Sequence, residues 1–422
     1  MKKELNEKIH FSLTCILALL MPVWPNALPA TIALLLLNWI IGKNFLHLFR
    51  KEANSYIFFL TISLYILYAI GMLWTKNAIY GWKDLETKLS LFIFPIVFYS
   101  SKKFNQDQIK NIFKFFFYGC LIASILCLSH ASYQYLHTKY LLSNNRQAWD
   151  YGINFFLKSR LSVWIHPSYI AMYFCMAIIG LYWVKAKEEK TLTEKYIIPY
   201  ILSIFIFLFS SKAGILSLIL WGCFIGANII FVQKKFFQAA IGLIFFVFSF
   251  LVLYFSAPQF ALRINSTLHT LSENPHTTNS EESTASRIEI WRASKKVITE
   301  NLLWGAGTGD IKDELFKEYD RRGMTFASQE KLNAHNQFFQ TTAALGIIGG
   351  ILLGVSLLIP LYIEWEHKNY IYVSFILLIL VNFIAESMLE TQAGVVFYAF
   401  INSLLLFAQE KNYDPLLSPK NY

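Results

Sequence analysis

The feature that most constrains this chain is a series of about twelve apolar runs separated by short polar breaks. An α-helix needs about 20 apolar residues to cross a hydrocarbon core about 30 Å thick. The runs lack the alternating pattern of barrel strands, so only helices can satisfy the backbone hydrogen bonds inside a bilayer. We therefore predict an all-α polytopic membrane protein with about twelve transmembrane helices. The predicted spans are 9–24, 29–46, 56–73, 88–100, 111–131, 164–184, 196–210, 213–232, 236–256, 336–363, 369–387 and 391–408.

The composition supports a membrane protein and excludes a soluble globular one. Of the 422 residues, 55% are hydrophobic and 15% are charged, which is too apolar for a soluble chain of this size. The net charge of +10 is spread over the loops and not gathered on one soluble face, so nucleic-acid binding is not expected. In the predicted topology, Lys43, Arg50 and Lys51 share an inner loop, whereas the outer turns carry few basic residues, such as Lys76. This asymmetry places both termini in the cytoplasm.

The predicted spans divide the chain into membrane segments and two long outer loops. We expect the loops, 132–163 and 257–335, to lie in the periplasm and to carry the function, since long loops on a rigid scaffold are seldom without one. The other predicted segments are 1–131 with helices one to five, 164–256 with helices six to nine, 336–408 with helices ten to twelve, and a cytoplasmic tail, 409–422.

The larger loop contains the sequence SRIEIWRASKKVITENLLWG, which has the pattern of an amphipathic helix. Ile288, Trp291 and Ile298 recur at helical spacing opposite Arg292, and Ser286 is a suitable N-cap. Such a helix could lie on the membrane surface. The GAGTGD segment follows this helix instead of preceding one, so we interpret its glycines as a turn and not as a phosphate-binding loop.

His335 lies at the predicted boundary between membrane and water, at the mouth of an apolar helix. An imidazole at this depth could act as a general base that takes a proton from an acceptor hydroxyl. The alternative is an interfacial histidine that is hydrogen-bonded to loop backbone. Its position alone leaves both interpretations open.

Basic residues on the same predicted face indicate an anionic ligand. Arg287, Arg160 and Lys212 lie there, and interfacial cations are costly unless they are paired, so a cluster of them favours a lipid phosphate or diphosphate. Each also has a structural interpretation, since Lys212 could be a hairpin tip and Arg160 could extend toward the interface. Glu386 and Glu390, in the turn between the last two spans, could neutralise one of these cations or cap the turn, and we favour the cap.

Together these motifs resemble those of the O-antigen ligase superfamily. The segment HNQFFQTTAALGIIGG has His335, Asn336, nine residues, Gly346, two residues and Gly349, which resembles the family's H-N-x9-G-x2-G signature. The segment beginning SRIEIW resembles a periplasmic motif of the family, SSKAG lies where the family has S-R-[GA]-x, and RLSVWIHPSYIAMY is similar to a further segment. The resemblance covers roughly residues 150–400.

The resemblance implies a membrane-embedded glycosyltransferase of the bacterial inner membrane with its active face in the periplasm. Such enzymes take a glycan from undecaprenyl diphosphate, amid membrane lipids, and join it to a hydroxyl of lipid A core, of a growing glycan or of a protein. It also implies no cofactor, metal or nucleotide, since the energy is stored in the glycosyl diphosphate bond. Direct displacement by the hydroxyl would invert the anomeric carbon.

The resemblance also implies roles for individual residues. His335 would be the base that activates the acceptor, and Arg287 would bind the diphosphate and stabilise the charge that develops on it. Lys212 occupies the place of the family's second arginine, and an ammonium loses the two-pronged contact of a guanidinium with phosphate. Arg160 would also bind the diphosphate. The remaining possible pocket residues are His166, Asn336 and Arg292.

Three other functions remain as alternatives. An O-antigen or exopolysaccharide polymerase would use the same chemistry on a different acceptor. A transporter or flippase of lipid-linked sugars would suit the helices and a basic pocket, although the two halves show no repeat and the polar residues gather away from mid-bilayer. A membrane scaffold without catalysis would leave His335 and Arg287 without a role.

Overall fold

The computed structural model describes residues 2–48, 55–142, 155–184, 197–232, 234–256, 265 and 284–409. Nearly all of the predicted cytoplasmic tail and the first part of the larger predicted loop lie outside these residues. Within them the chain is helical, without a strand, and has one isolated bridge between Phe104 and Gln409. The prediction of an all-α fold is confirmed.

The helices are numbered here in chain order. They are α1 (Lys2–Val23), α2 (Leu28–Ile41), α3 (Ser55–Gly71), α4 (Ala78–Lys88), α5 (Ser90–Ser100), α6 (Gln106–Leu142), α7 (Lys158–Leu161), α8 (Pro167–Val184), α9 (Ile198–Leu208), α10 (Lys212–Ala227), α11 (Phe236–Ser256), α12 (Thr284–Glu300), α13 (Ile311–Arg321), α14 (Thr325–Gln329), α15 (Gln337–Glu366), α16 (Tyr370–Ala385) and α17 (Gln392–Ser403).

Each predicted span overlaps a described helix, but the helices differ widely in length. Four segments of the described chain are long and apolar enough to cross a membrane: Ser55–Trp74, Gln106–Thr138, Lys212–Phe231 and Gln337–Glu366. By contrast α5 has 11 residues, about 16 Å at 1.5 Å per residue. The chain is therefore a helical membrane protein, and the number of about twelve crossings stays a prediction.

Two helices depart from the predicted boundaries. α6 continues to Leu142, about three turns beyond the predicted end at residue 131, so the smaller predicted loop begins as helix. The chain before the predicted fourth span forms α4, a separate helix that ends where α5 begins.

The packing places α15 among the helices that build the site. α15 packs against α3, α12 and α16, while α8 packs against α6, α9, α10 and α16. The amphipathic helix α12 turns its apolar side toward α15, since Ile290, Ala293 and Val297 are buried. The residues predicted to form the apolar face are less covered, since Ile288, Trp291 and Ile298 are half-buried, and the position of the helix at the membrane surface stays a prediction.

α15 is interrupted at Gly346, where φ is 69° and ψ is −170°. The GAGTGD turn inserts at this break: the N–H of Ala306 donates to the Ala343 carbonyl at 2.8 Å and that of Gly307 to the Ala344 carbonyl at 3.0 Å. A Cβ at Gly346 would overlap the carbonyl of Leu303. Backbone groups released by the break are thus satisfied by another segment, as a broken helix within a membrane protein requires.

Candidate active site

The carboxylate of Glu386, in the turn that joins α16 to α17, collects side chains from three other parts of the chain. Its Oε1 accepts hydrogen bonds from Nη2 of Arg287 at 2.5 Å and from Oγ of Ser168 at 3.2 Å. Its Oε2 lies 2.8 Å from Nδ1 of His335. Glu386 is 5% exposed, so this ion pair and its two hydrogen bonds are shielded from water.

The charge of Glu386 is maintained by its neighbours. Burial alone would raise the pKa of Glu386, but the Arg287 guanidinium and the hydrogen bond from His335 lower it to about 2. An ionised carboxylate only accepts hydrogen bonds, so Nδ1 of His335 carries the proton in this contact. In the neutral imidazole, Nε2 then holds the lone pair that could accept a proton from a substrate.

The backbone of His335 is strained. Its φ of +45° lies in the left-handed region, which a residue with a side chain seldom adopts. The indole Nε1 of Trp291 donates to the His335 carbonyl at 3.3 Å, and the His335 N–H donates to Oδ1 of Asn333 at 3.0 Å. These contacts hold the sharp turn that lets the imidazole reach Glu386 while the next residue begins α15.

Asn336 fixes the start of α15. Its Oδ1 accepts the N–H of Phe339 at 3.0 Å as an N-cap, and its Nδ2 donates to the carbonyl of Ile384 at 3.2 Å. Its own N–H donates to Oγ of Ser387 at 3.2 Å. The side chain predicted as a possible pocket residue therefore ties α15 to the end of α16, beside the catalytic candidates.

The turn of residues 386–391, called here the 386–391 turn, is also held by Gln337. The N–H of Leu389 donates to Oε1 of Gln337 at 2.6 Å, and Nε2 of Gln337 donates to Oγ1 of Thr341 at 3.0 Å. Consecutive residues His335, Asn336 and Gln337 thus all contact this turn. The HNQ sequence works as one unit that joins the start of α15 to Glu386 and its neighbours.

His166 lies next to this cluster and Lys212 lies at the same end of the bundle. His166 precedes α8, and its Nδ1 accepts the N–H of Ser168 at 3.3 Å. Lys212 is the first residue of α10. Farther along that helix, Oγ of Ser217 accepts a hydrogen bond from Nδ2 of Asn382 at 3.2 Å, one turn before Glu386.

Arg160 and Arg292 are placed differently from the other predicted cations. Arg160 is exposed on α7, with its guanidinium 5.6 Å from the ring centroid of Phe155. Arg292 is exposed on α12 and forms an ion pair with Glu289. In the described part of the chain, neither is among the side chains that contact Glu386, so the structure does not bring them into the cluster.

Three helices begin at this end of the bundle. α8 starts at Pro167, α10 at Lys212 and α15 at Gln337. Ser168 and Gln337 each form a hydrogen bond with the 386–391 turn. Gly214 lies against Ala171 of α8. Helix N-termini carry partial positive charge and favour anions. The N-termini of α8, α10 and α15 therefore add partial positive charge at this end of the bundle.

The sequence identified Arg287 and His335 but not the group that joins them. Of the two roles considered for Glu386, the sequence favoured the cap, whereas its carboxylate forms an ion pair with Arg287, which is the other role. Its isolation in an otherwise apolar pair of helices was the available signal. No feature of the sequence marked Ser168, since a single serine at the start of a helix is ordinary. Among the described residues, no group of three or more His, Cys, Asp or Glu side chains could hold a metal ion.

Comparison with known families gives one match. Residues 199–354 match the family model described as O-Antigen ligase, a stretch that includes Lys212, Arg287 and His335 and ends before Glu386. No curated protein matches the chain.

Proposed function

We propose that the chain is a member of the O-antigen ligase superfamily, whose family model matches residues 199–354, and that it transfers a glycan from undecaprenyl diphosphate to an acceptor hydroxyl. The reaction takes place on the periplasmic face of the bacterial inner membrane. The observation that carries the proposal is the contact of His335 and Arg287 with one buried carboxylate, Glu386. A base and a phosphate-binding cation are thereby held side by side.

His335 acts as the general base. Its Nδ1 is engaged by Glu386 at 2.8 Å, which selects the tautomer with a free lone pair on Nε2. The carboxylate stabilises the imidazolium that forms when Nε2 takes the proton of the acceptor hydroxyl. His335 is 16% exposed at its side chain, so it remains accessible to an incoming substrate.

Arg287 binds the diphosphate of the donor. One of its terminal nitrogens is used by Glu386, and a guanidinium has five N–H donors in a planar fork. The remaining donors are available to phosphate oxygens. Lys212 and the N-termini of α8, α10 and α15 add positive charge at the same end of the bundle, which stabilises the leaving diphosphate.

The proposed step is a single displacement. The acceptor oxygen forms a bond to the anomeric carbon as the bond from that carbon to the diphosphate oxygen breaks. The proton of the acceptor hydroxyl goes to Nε2 of His335, and the electron pair of the broken bond leaves with the diphosphate. Attack opposite the leaving group inverts the anomeric carbon, and holding both reactants in line supplies much of the rate.

The test is glycan transfer by the purified protein in lipid nanodiscs, using undecaprenyl-diphosphate glycan as donor and lipid A core as acceptor. His335→Gln keeps a polar side chain but removes the base, and Arg287→Gln removes the charge. We expect kcat to fall by about 10²-fold or more in each variant, the range that a positioned base or an oxyanion contact contributes.

The matched control is Lys295→Gln, which removes an exposed positive charge from the same helix as Arg287. It should keep the kcat of the wild type. If His335→Gln turns over as fast as the wild type, His335 is not the base. If the wild-type protein transfers glycan neither to lipid A core nor to a growing glycan supplied as a second acceptor, the proposed function itself is contradicted.

The acceptor distinguishes a ligase from a polymerase. Both use the same displacement, and the family match does not choose between them. In cells that lack the protein, a ligase predicts full-length glycan that is not attached to lipid A core. A polymerase instead predicts attached single repeat units.

A further inference from the structure

Lys88 is a fully buried lysine outside the cluster described above. It is the last residue of α4 and is 0% exposed. Its Nζ lies 2.5 Å from Oδ1 of Asp84 and 2.7 Å from Oε1 of Glu390. It also lies over the ring of Tyr68, 4.7 Å from the centroid. A buried ammonium is costly unless it is paired, so these contacts determine where its side chain can lie.

The partners of Lys88 belong to a closed circuit of contacts. The hydroxyl of Tyr68 is 3.1 Å from Oγ1 of Thr341, which also accepts a hydrogen bond from Gln337. Gln337 in turn accepts the N–H of Leu389, the neighbour of Glu390. The circuit therefore connects α3, α4 and α15 to the 386–391 turn and returns to Lys88.

The other end of α4 is anchored as well. Oδ2 of Asp310, at the end of the GAGTGD turn, accepts the N–H of Lys76 at 2.8 Å, and its Oδ1 accepts that of Asn77 at 2.7 Å. The GAGTGD turn is itself paired with the break in α15. α4 thus spans from the break in α15 to the 386–391 turn, with a fixed contact at each end.

The carboxylate that contacts His335 belongs to the turn that Lys88 holds. Glu386 and Glu390 are four residues apart in that turn, and Glu390 is bound to Lys88. We infer that Lys88 is a positioning residue that fixes the 386–391 turn so that Glu386 stays in contact with His335 and Arg287. Its effect on catalysis rests on the proposed glycan transfer, whereas its effect on the turn does not.

A small displacement of the turn is sufficient to matter. The contacts of Glu386 with Arg287 and His335 are 2.5 Å and 2.8 Å long, so a shift of about 1 Å would lengthen both beyond the usual hydrogen-bond range of about 2.7 to 3.2 Å. Misplacement by that amount can lower a rate by about 10²-fold. A lysine that only stabilised the fold would lower the amount of folded protein and leave the turnover of the folded fraction unchanged.

The test compares Lys88→Met with Lys83→Met, in which a lysine of the same helix that is exposed is changed in the same way. Hydrogen exchange reports the turn directly through the amide of Leu389, which is bonded to Gln337 in the wild type. We expect faster exchange across 386–391 in Lys88→Met alone. We also expect its kcat to fall by about tenfold or more, with a smaller change in the donor KM.

A second variant separates positioning from folding. Lys88→Met leaves two carboxylates without their cation, so it could fail to fold. Lys88→Met combined with Glu390→Gln removes one of those charges and should be folded. The 386–391 turn should nevertheless exchange faster than in the wild type, because the tie to α4 is still absent.

A double-mutant cycle then asks whether Lys88 acts through Glu386. If it does, adding Lys88→Met to Glu386→Gln causes little further loss of kcat, since the contact that Lys88 maintains is already gone. If Lys88→Met lowers kcat by the same factor in the wild type and in Glu386→Gln, the proposal is overturned. Wild-type exchange of the 386–391 turn in the folded Lys88→Met/Glu390→Gln protein would also overturn it. A wild type that forms no glycosidic bond would refute the proposed function, and the exchange measurements would still decide the role of Lys88.

Discussion

Glu386→Gln removes the charge of the central carboxylate while keeping nearly the same size and shape. The pKa of Glu386 is lowered from the ordinary 4.5 to about 2, because Arg287 and His335 outweigh the effect of burial. The charged carboxylate thereby forms a charge-assisted hydrogen bond with His335, and such a bond contributes about 1.5 to 3 kcal/mol.

The loss of this hydrogen bond sets the expected loss of rate. If the bond stabilises the imidazolium by about 1.5 kcal/mol or more, its removal raises the barrier by that amount, which is about a tenfold or larger decrease in kcat. A glutamine can also donate to Nδ1 and so select the tautomer in which Nε2 is already protonated. The corresponding change in a serine protease costs about 10⁴-fold, so we expect a loss between about 10-fold and 10⁴-fold.

The assay is single-turnover glycan transfer in nanodiscs with saturating donor, together with the thermal midpoint of each protein. Glu330→Gln is the matched control, since Glu330 is an exposed carboxylate shortly before His335 in the chain. It should turn over like the wild type. A folded Glu386→Gln protein whose kcat lies within twofold of the wild type would refute the role of the carboxylate in supporting His335.

Two further predictions concern stability. Gly346→Ala should strongly decrease the yield of folded protein, because φ is 69° there and a Cβ would overlap the Leu303 carbonyl. Gly354→Ala, in the same helix with open space around it, should be tolerated. Comparable size-exclusion profiles of the two variants would contradict this prediction. The pKa of Glu386 is lower in the folded protein than in an unfolded chain, so its stabilising contribution is present above about pH 4.5 and is lost as the pH falls toward about 2. The thermal midpoint of the wild type should therefore fall toward that of Glu386→Gln on acidification, and a constant difference between the two would argue against the charge effect.

The sequence predicted the helical class, which the structure confirms. The number of crossings stays a prediction. Apolar runs mark buried or lipid-facing helix, because a helix in a bilayer must present apolar side chains along its whole length. Length is a weaker signal within a packed bundle. α5 and α9 have 11 residues each and overlap predicted spans, since an apolar run looks the same whether lipid or other helices cover it.

The sequence singled out some residues of the candidate site and missed others, and the difference lies in how far apart the residues are along the chain. His335 and Arg287 lie in local motifs, in which a few neighbouring residues carry the pattern. Glu386 is 51 residues from His335, 99 from Arg287 and 218 from Ser168 along the chain. Lys88 is 302 residues from Glu390, and it was not singled out at all.

By itself the sequence determined that this chain is a helical membrane protein and which two residues are the candidates for base and phosphate-binding cation. Only the tertiary structure decided that one buried carboxylate, Glu386, contacts both of them. It also decided that Lys88, buried on α4, contacts the turn that contains Glu386. Periodicity records which side of a helix is apolar, and it contains no information on which helices meet. A carboxylate buried between helices is stable only beside its cation, so its partner is known once the packing is known.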